Sequence, residues 1–208
     1  MANTTFKGTL RSEGGYSSIA TNSTTGAETT QMSVSSAGFA SLDANTMATE
    51  AGTGITGGTG TIYRSSVIRE GGIIKTSILI DLTGLRSTAS GDIIGVDGTS
   101  NVCHIGQITA ARNGTILAGR MTCFEAPAGG DPDINVHSAT EGTGVEDGAI
   151  SSLTETLLVN SGNATTGTVV TFTGVPAADE YLYLTLGATT DADYTAGKLL
   201  IELFGYEA

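Results

Sequence analysis

Gly72-Ile-Ile-Lys-Thr-Ser-Ile-Leu-Ile-Asp-Leu82 decides the fold class. It is eleven residues long and opens on Gly71-Gly72, a turn signal. Isoleucine is stiff at χ1 and packs well on a pleated surface, so the run reads as a β-strand. Because it is almost continuously apolar, it reads as a central strand covered on both faces.

The same reading extends outward from this run. Thr61–Arg69 precedes it as a strand. Asp92–Val96, Val102–Ile108 and Thr115–Phe124 follow, separated by Gly, Asp and Asn turns. Asn113-Gly114 has the chemistry of a hairpin turn, since both residues tolerate positive φ. Residues 127–152 read as loop-rich, with no strand placed in them. Strands at 153–159, 168–173, 180–186 and 198–206 close the chain. The spacing, with turn chemistry between strands, predicts an all-β fold: a β-sandwich or jelly-roll-like domain over 61–208.

Residues 1–60 differ. Their apolar side chains stand singly in a Ser-, Thr-, Ala- and Gly-rich background. Gln31-Met-Ser-Val-Ser35 alternates as a short strand would, and Ser41–Glu50 has room for a helical turn or two. Residues 52–60 hold five glycines and read as a hinge. The segment is expected to be an extended N-terminal arm that gains order against a partner. Phe6, Leu10, Tyr16 and Ile19 are its candidate partner-binding anchors.

Composition narrows the function. The 208 residues include 30 Gly and no Trp, with a formal charge of −12. Phosphate contacts need clustered Lys and Arg, so nucleic acid is not an expected partner; nor is an anionic membrane. No run approaches the length of a membrane span, and no secretory signal opens the chain. Charge is uneven: residues 61–126 carry six cations and five carboxylates, while 127–208 carry Lys198 against twelve carboxylates.

Chemical motifs are sparse. Gly52-Thr-Gly-Ile-Thr-Gly57 matches a dinucleotide-binding pattern but follows no strand and opens no long helix. His104 and His137 are the only histidines, and no Gly-x-Ser-x-Gly elbow accompanies them. Cys103 and Cys123 lack metal-ligand spacing, and they read as small buried apolar residues or as one disulfide. Asp131/Asp133, with Glu125 nearby, and Asp191/Asp193 are the places a calcium ion would sit; a bare Asp-x-Asp also serves as a turn cap. No catalytic residue, cofactor or metal is expected, and the chain reads as a structural protein, not an enzyme.

Several runs resemble small virion proteins of tailed bacteriophages, marine ones especially. They are Met1-Ala-Asn-Thr-Thr-Phe-Lys-Gly-Thr-Leu-Arg-Ser-Glu-Gly-Gly15, Ile73–Leu85, Ala118–Gly130, Glu180-Tyr-Leu-Tyr-Leu184 and Ala196–Tyr206. The resemblance implies a head-decoration (cement) protein that binds the major capsid protein, forms a homotrimer and resides on the virion surface after assembly in the host cytoplasm. The alternatives kept open are another virion component, such as a tail or head fibre, and a carbohydrate-binding β-sandwich.

Overall fold

In a computed structural model of the chain, residues 16–21, 28–34, 40–42, 51–56, 63–188 and 191–207 are described. They fall into two units, divided between Met47 and Ala48.

The first unit contains a three-stranded antiparallel sheet of β1 (Tyr16–Thr21), β2 (Glu28–Val34) and β3 (Ala40–Leu42), in that order. A bulge between Ser18 and Ile19 interrupts the register of β1 on β2.

The second unit is a sandwich. One sheet has five strands: β4 (Tyr63–Glu70), β5 (Ile73–Asp81), β9 (Thr115–Ala128), β12 (Val169–Thr171) and β15 (Ala196–Tyr206), ordered β12-β9-β15-β5-β4. The other has four: β8 (Gly106–Gln107), β10 (Ile134–Ala139), β11 (Glu155–Val159) and β13 (Tyr181–Leu186), ordered β11-β10-β13-β8. A small third sheet joins β14 (Ala192–Asp193), β6 (Leu85–Ser87) and β7 (Gly95–Val96). Every pairing is antiparallel.

Counting β5, β8, β9, β10, β11, β12, β13 and β15 as one to eight, the large sheets read 6-3-8-1 and 5-4-7-2, with β4 added outside the first. This interleaving is the jelly-roll order. The chain alternates between the two sheets, so the core forms from strands distant in sequence. Ile78, Ile80, Met121, Leu199, Ile201 and Leu203 from one sheet meet Val136, Leu158, Leu182, Leu184 and Leu186 from the other. Each such side chain contributes roughly 1.5–3 kcal/mol relative to exposure.

Four expectations are corrected. First, β5 is covered on one face only. Ile74, Thr76, Ile78 and Ile80 are buried, whereas Lys75, Ser77 and Leu79 are half-buried and Ile73 is exposed. Second, 127–152 is not all loop. β9 runs on through Pro127, and Ile134–Ala139 is an inner strand of its sheet. Third, Asn113-Gly114 is not a hairpin. Asn113 ends a helical turn, α2 (Ala110–Asn113), and Gly114 takes φ 69° to carry the chain from one sheet to the other. A Cβ there would lie 2.3 Å from the Tyr206 carbonyl oxygen. Fourth, residues 51–56 are not hinge-like: they belong to the second unit. Thr53–Thr56 forms a helical turn, α1, and Ile55 is buried in the sandwich core.

Candidate interaction surface

The two broad faces of the sandwich are finished differently. On the outward side of the four-stranded sheet lie Ala139, Tyr181 and Tyr183. They are roofed by Ile93, Cys103, Ile150 and Leu153, from the loops around 88–104 and 141–154. Tyr183 is fully buried beneath this roof; its hydroxyl donates to the Glu141 carbonyl (2.8 Å) and accepts from the Gly144 amide (3.2 Å). His104 lies on Tyr181 at 4.9 Å between ring centroids, and burial holds its imidazole below the usual range. Outside the roof, His137 Nδ1 meets Glu155 at 2.6 Å.

The segment 51–56 reaches this roof edge-on. The amides of Gly52 and Gly54 donate to the carbonyls of His104 and Val102, both at 2.8 Å. A Cβ on Gly54 would lie 2.4 Å from the Asn101 carbonyl oxygen and 2.6 Å from Cys103 Sγ. The glycine pattern at 52–54 therefore has a packing cause: backbone must lie directly against backbone.

The roof is acidic. Asp92, Asp97, Glu141, Glu146 and Asp147 all belong to it. Burial and the neighbouring Asp147 push the Glu146 carboxyl up to about 7, and its Oε1 is buried with no hydrogen-bond partner. Burial and Asp147 also raise Asp92. Arg86 is the cation at hand, and it already meets Asp97 (2.8 Å) and Asp191 (3.5 Å).

The outward side of the five-stranded sheet has no roof among the described residues. Ile68, Ile73, Leu117, Phe124, Val169 and Tyr206 are exposed on it, Leu117 to 63%. β-Bulges opposite β15 turn Leu117 and Phe124 outward: Phe204 pairs with Ala118 and Gly205 with Ile116, while Lys198 pairs with Glu125 and Leu199 with Cys123. The polar row Ser66, Ser77, Glu202, Arg120 and Thr171 crosses the sheet between them, and large apolar side chains exposed together on one face mark interaction sites.

At the centre of this face the anion is sunk and its cations are not. Glu202 is only 3% exposed, yet its carboxylate accepts from Arg120 Nε at 2.6 Å and pairs with Lys75. The Arg120 hydrogen bond, then Lys75, hold its carboxyl below the usual range despite burial. Lys75 and Arg120 themselves are nearly half exposed, and Arg120 lies 5.8 Å from the Phe204 ring centroid. Lys198 meets the buried Asp81 (3.7 Å) and the half-exposed Glu125. The face therefore presents apolar side chains and more cationic heads than carboxylates.

The residues that the sequence singles out fall as follows. Phe6 and Leu10 lie outside the described residues. Tyr16 begins β1, and Ile19 follows its bulge with its side chain about half exposed. Cys103 and Cys123 are free and buried, in separate apolar clusters. Burial pushes the Cys103 thiol up to about 12. Asp131 Oδ1 accepts the Asp133 amide at 2.9 Å, a turn-capping role. Asp191 meets Arg86. Among the described residues no group of three or more His, Cys, Asp or Glu is placed to hold a metal. An apolar hollow of about 290 Å³ lies between Ile108, Ile116, Val175 and Pro176. Among the described residues no helix is long and apolar enough to cross a membrane.

The apolar face is absent from the sequence reading, although its signal is present there. Leu79, Leu117, Phe124, Val169 and Leu200 stand at outward positions of strands, where simple alternation would place polar residues. No protein-family model, curated protein or solved structure matches this chain.

Proposed function

We propose that this chain is a structural coat protein of a tailed-phage virion, a head-decoration component that seats on the outer capsid surface and reinforces the lattice. The observation that carries this reading is the set of large apolar side chains exposed, among the described residues, on the outward side of the five-stranded sheet, the kind of surface that supports protein contact. The sequence resemblance to small virion proteins supplies the setting. A jelly roll hosts many functions, so the fold supports the reading without selecting it. In this reading the segment ahead of the sandwich makes the capsid contact through Phe6, Leu10, Tyr16 and Ile19, and the partner is the major capsid protein. Many weak arm contacts repeated over a lattice then act with high avidity.

The test is abundance in purified particles, measured by quantitative mass spectrometry against the major capsid protein. Decoration requires the two to be present in comparable amounts. A handful of copies per particle makes the chain a fibre component instead, and absence from particles overturns the proposal. Deleting residues 1–20 is expected to abolish capsid binding in a sedimentation assay while the sandwich still melts cooperatively. Normal binding by the truncated protein removes the arm's role.

A further inference from the structure

The two faces of the sandwich are opposite in charge as well as in finish. Seven cations lie among the described residues. Arg64, Lys75, Arg120 and Lys198 belong to the five-stranded sheet's outward face, and Arg69 and Arg112 sit at its margin. Arg86 alone stands elsewhere. Of the carboxylates that pair with this cationic set, Glu202 and Asp81 are buried, while Glu125 and Glu207 are about half exposed. The roof on the other sheet has the reverse problem. Its carboxylates crowd one another, and Oε1 of Glu146 is buried without a partner.

We propose that the open face of the five-stranded sheet is the seat of a second copy of this chain, which presents its acidic roof to it in a head-to-tail contact. The inference draws on the same face that carries the virion reading, but its test needs no capsid, so the two can fail separately. Charge decides the orientation. Face against face would crowd Lys75 and Arg120 of the two copies on one surface, with the Glu202 that neutralises them buried beneath. Roof against roof would stack carboxylates. Face against roof sets half-exposed cations against acids that lack them, with Leu117, Phe124 and Val169 removed from water. Such a contact uses two different patches on each copy, so it closes into a ring or runs on as a chain.

The test uses the full chain. Sedimentation velocity at about 0.1 mM protein is expected to show an assembly larger than a monomer, weakened roughly tenfold or more between about 50 mM and 500 mM salt. A face variant, Leu117→Asp with Phe124→Asp, and a roof variant, Asp97→Lys with Glu141→Lys, are each expected to be monomeric with a cooperative melt. Mixed together they should form a two-copy complex and nothing larger, because one intact face remains for one intact roof. Should the roof variant fail to melt cooperatively, Asp97→Asn with Glu141→Gln replaces it. A monomeric wild-type chain overturns the proposal. So does a roof variant that assembles like wild type, which is the signature of face-on-face pairing. Failure of the mixture to combine overturns it as well.

Discussion

At the scale of single residues, two carboxylates in one domain titrate in opposite senses, and the cause is what each one faces. Glu202 is buried but paired with Arg120 and Lys75, so its folded pKa lies below the ordinary value. A depressed pKa means the unfolded chain binds the proton more readily. The stabilisation is complete above the unfolded value, near 4.5, and is lost as pH falls through the folded one. Replacing Glu202 by Gln is therefore expected to cost about 2 kcal/mol at pH 7 and little at pH 3, read by urea titration. Glu146 is the mirror case. Burial and Asp147 push it up to about 7, so the folded state binds the proton more readily. Its charge opposes folding above that pH, and the penalty disappears toward pH 4.5 and below. Glu146→Gln should then gain roughly 1 kcal/mol at pH 8 and nothing near pH 4. Equal effects of either substitution at both pH values would contradict the assignment. The crowding that raises Glu146 is also what a cation from another molecule would relieve.

Among elements, legibility in the sequence tracks how local the cause is. β5, β13 and β15 are readable because their own composition, rich in Ile, Leu or Tyr, specifies an extended, half-buried strand. β10 is not. Ile134-Asn-Val-His-Ser-Ala139 is short, flanked by turn residues and moderately polar, and its inner position comes from β11 and β13 pairing on both sides. Asn113 misleads for the same reason. Its side chain is fully buried, donating to Thr76 Oγ1 (2.8 Å) and accepting from the Thr109 amide (2.9 Å), and Thr76 lies 37 residues away. The alternation of β5 is hidden by apolar residues on its outward side, which is the part of the candidate surface that sequence carries without announcing. The glycines at 52 and 54 give the sharpest element-level prediction. They look like hinge residues, yet each donates its amide to the roof loop. Gly54→Ala forces a Cβ against the Asn101 carbonyl and Cys103 Sγ, so the segment must lift. Hydrogen exchange at the Gly52 and Gly54 amides should accelerate at least tenfold, while Leu199 and Ile201 in β15 keep wild-type protection. Unchanged exchange at 52 and 54 would mean the strip is not seated as described.

For the molecule as a whole, the open question is where the sandwich begins. Composition places the boundary near residue 60, since the glycine-rich stretch before it resembles a linker. Contacts place it between Met47 and Ala48, because Ala51 and Ile55 pack into the core and Gly52 and Gly54 bond to the roof. These boundaries predict different outcomes for two shortened chains. One starting at Ala48 keeps every one of these contacts and should melt within a degree or two of the same unit in the full-length chain. One starting at Thr61 loses the burial of Ile55, two backbone hydrogen bonds and the cover over Cys103. The lost isoleucine alone is worth about 2–5 kcal/mol in a core that does not collapse around the gap. At roughly 2–4 °C per kcal/mol for a domain of this size, the shorter chain should melt some 5–15 °C lower. Cys103 supplies a second readout. Burial pushes its thiol up to about 12, and in the Ala48 chain it should resist a thiol reagent at pH 8 until the fold opens. In the Thr61 chain it should react readily, while Cys123, in the main core, stays protected. Equal melting temperatures and an equally inert Cys103 would return residues 51–56 to the role of a linker. The acidic roof would then rest on its own loops, without support from the strip that precedes β4.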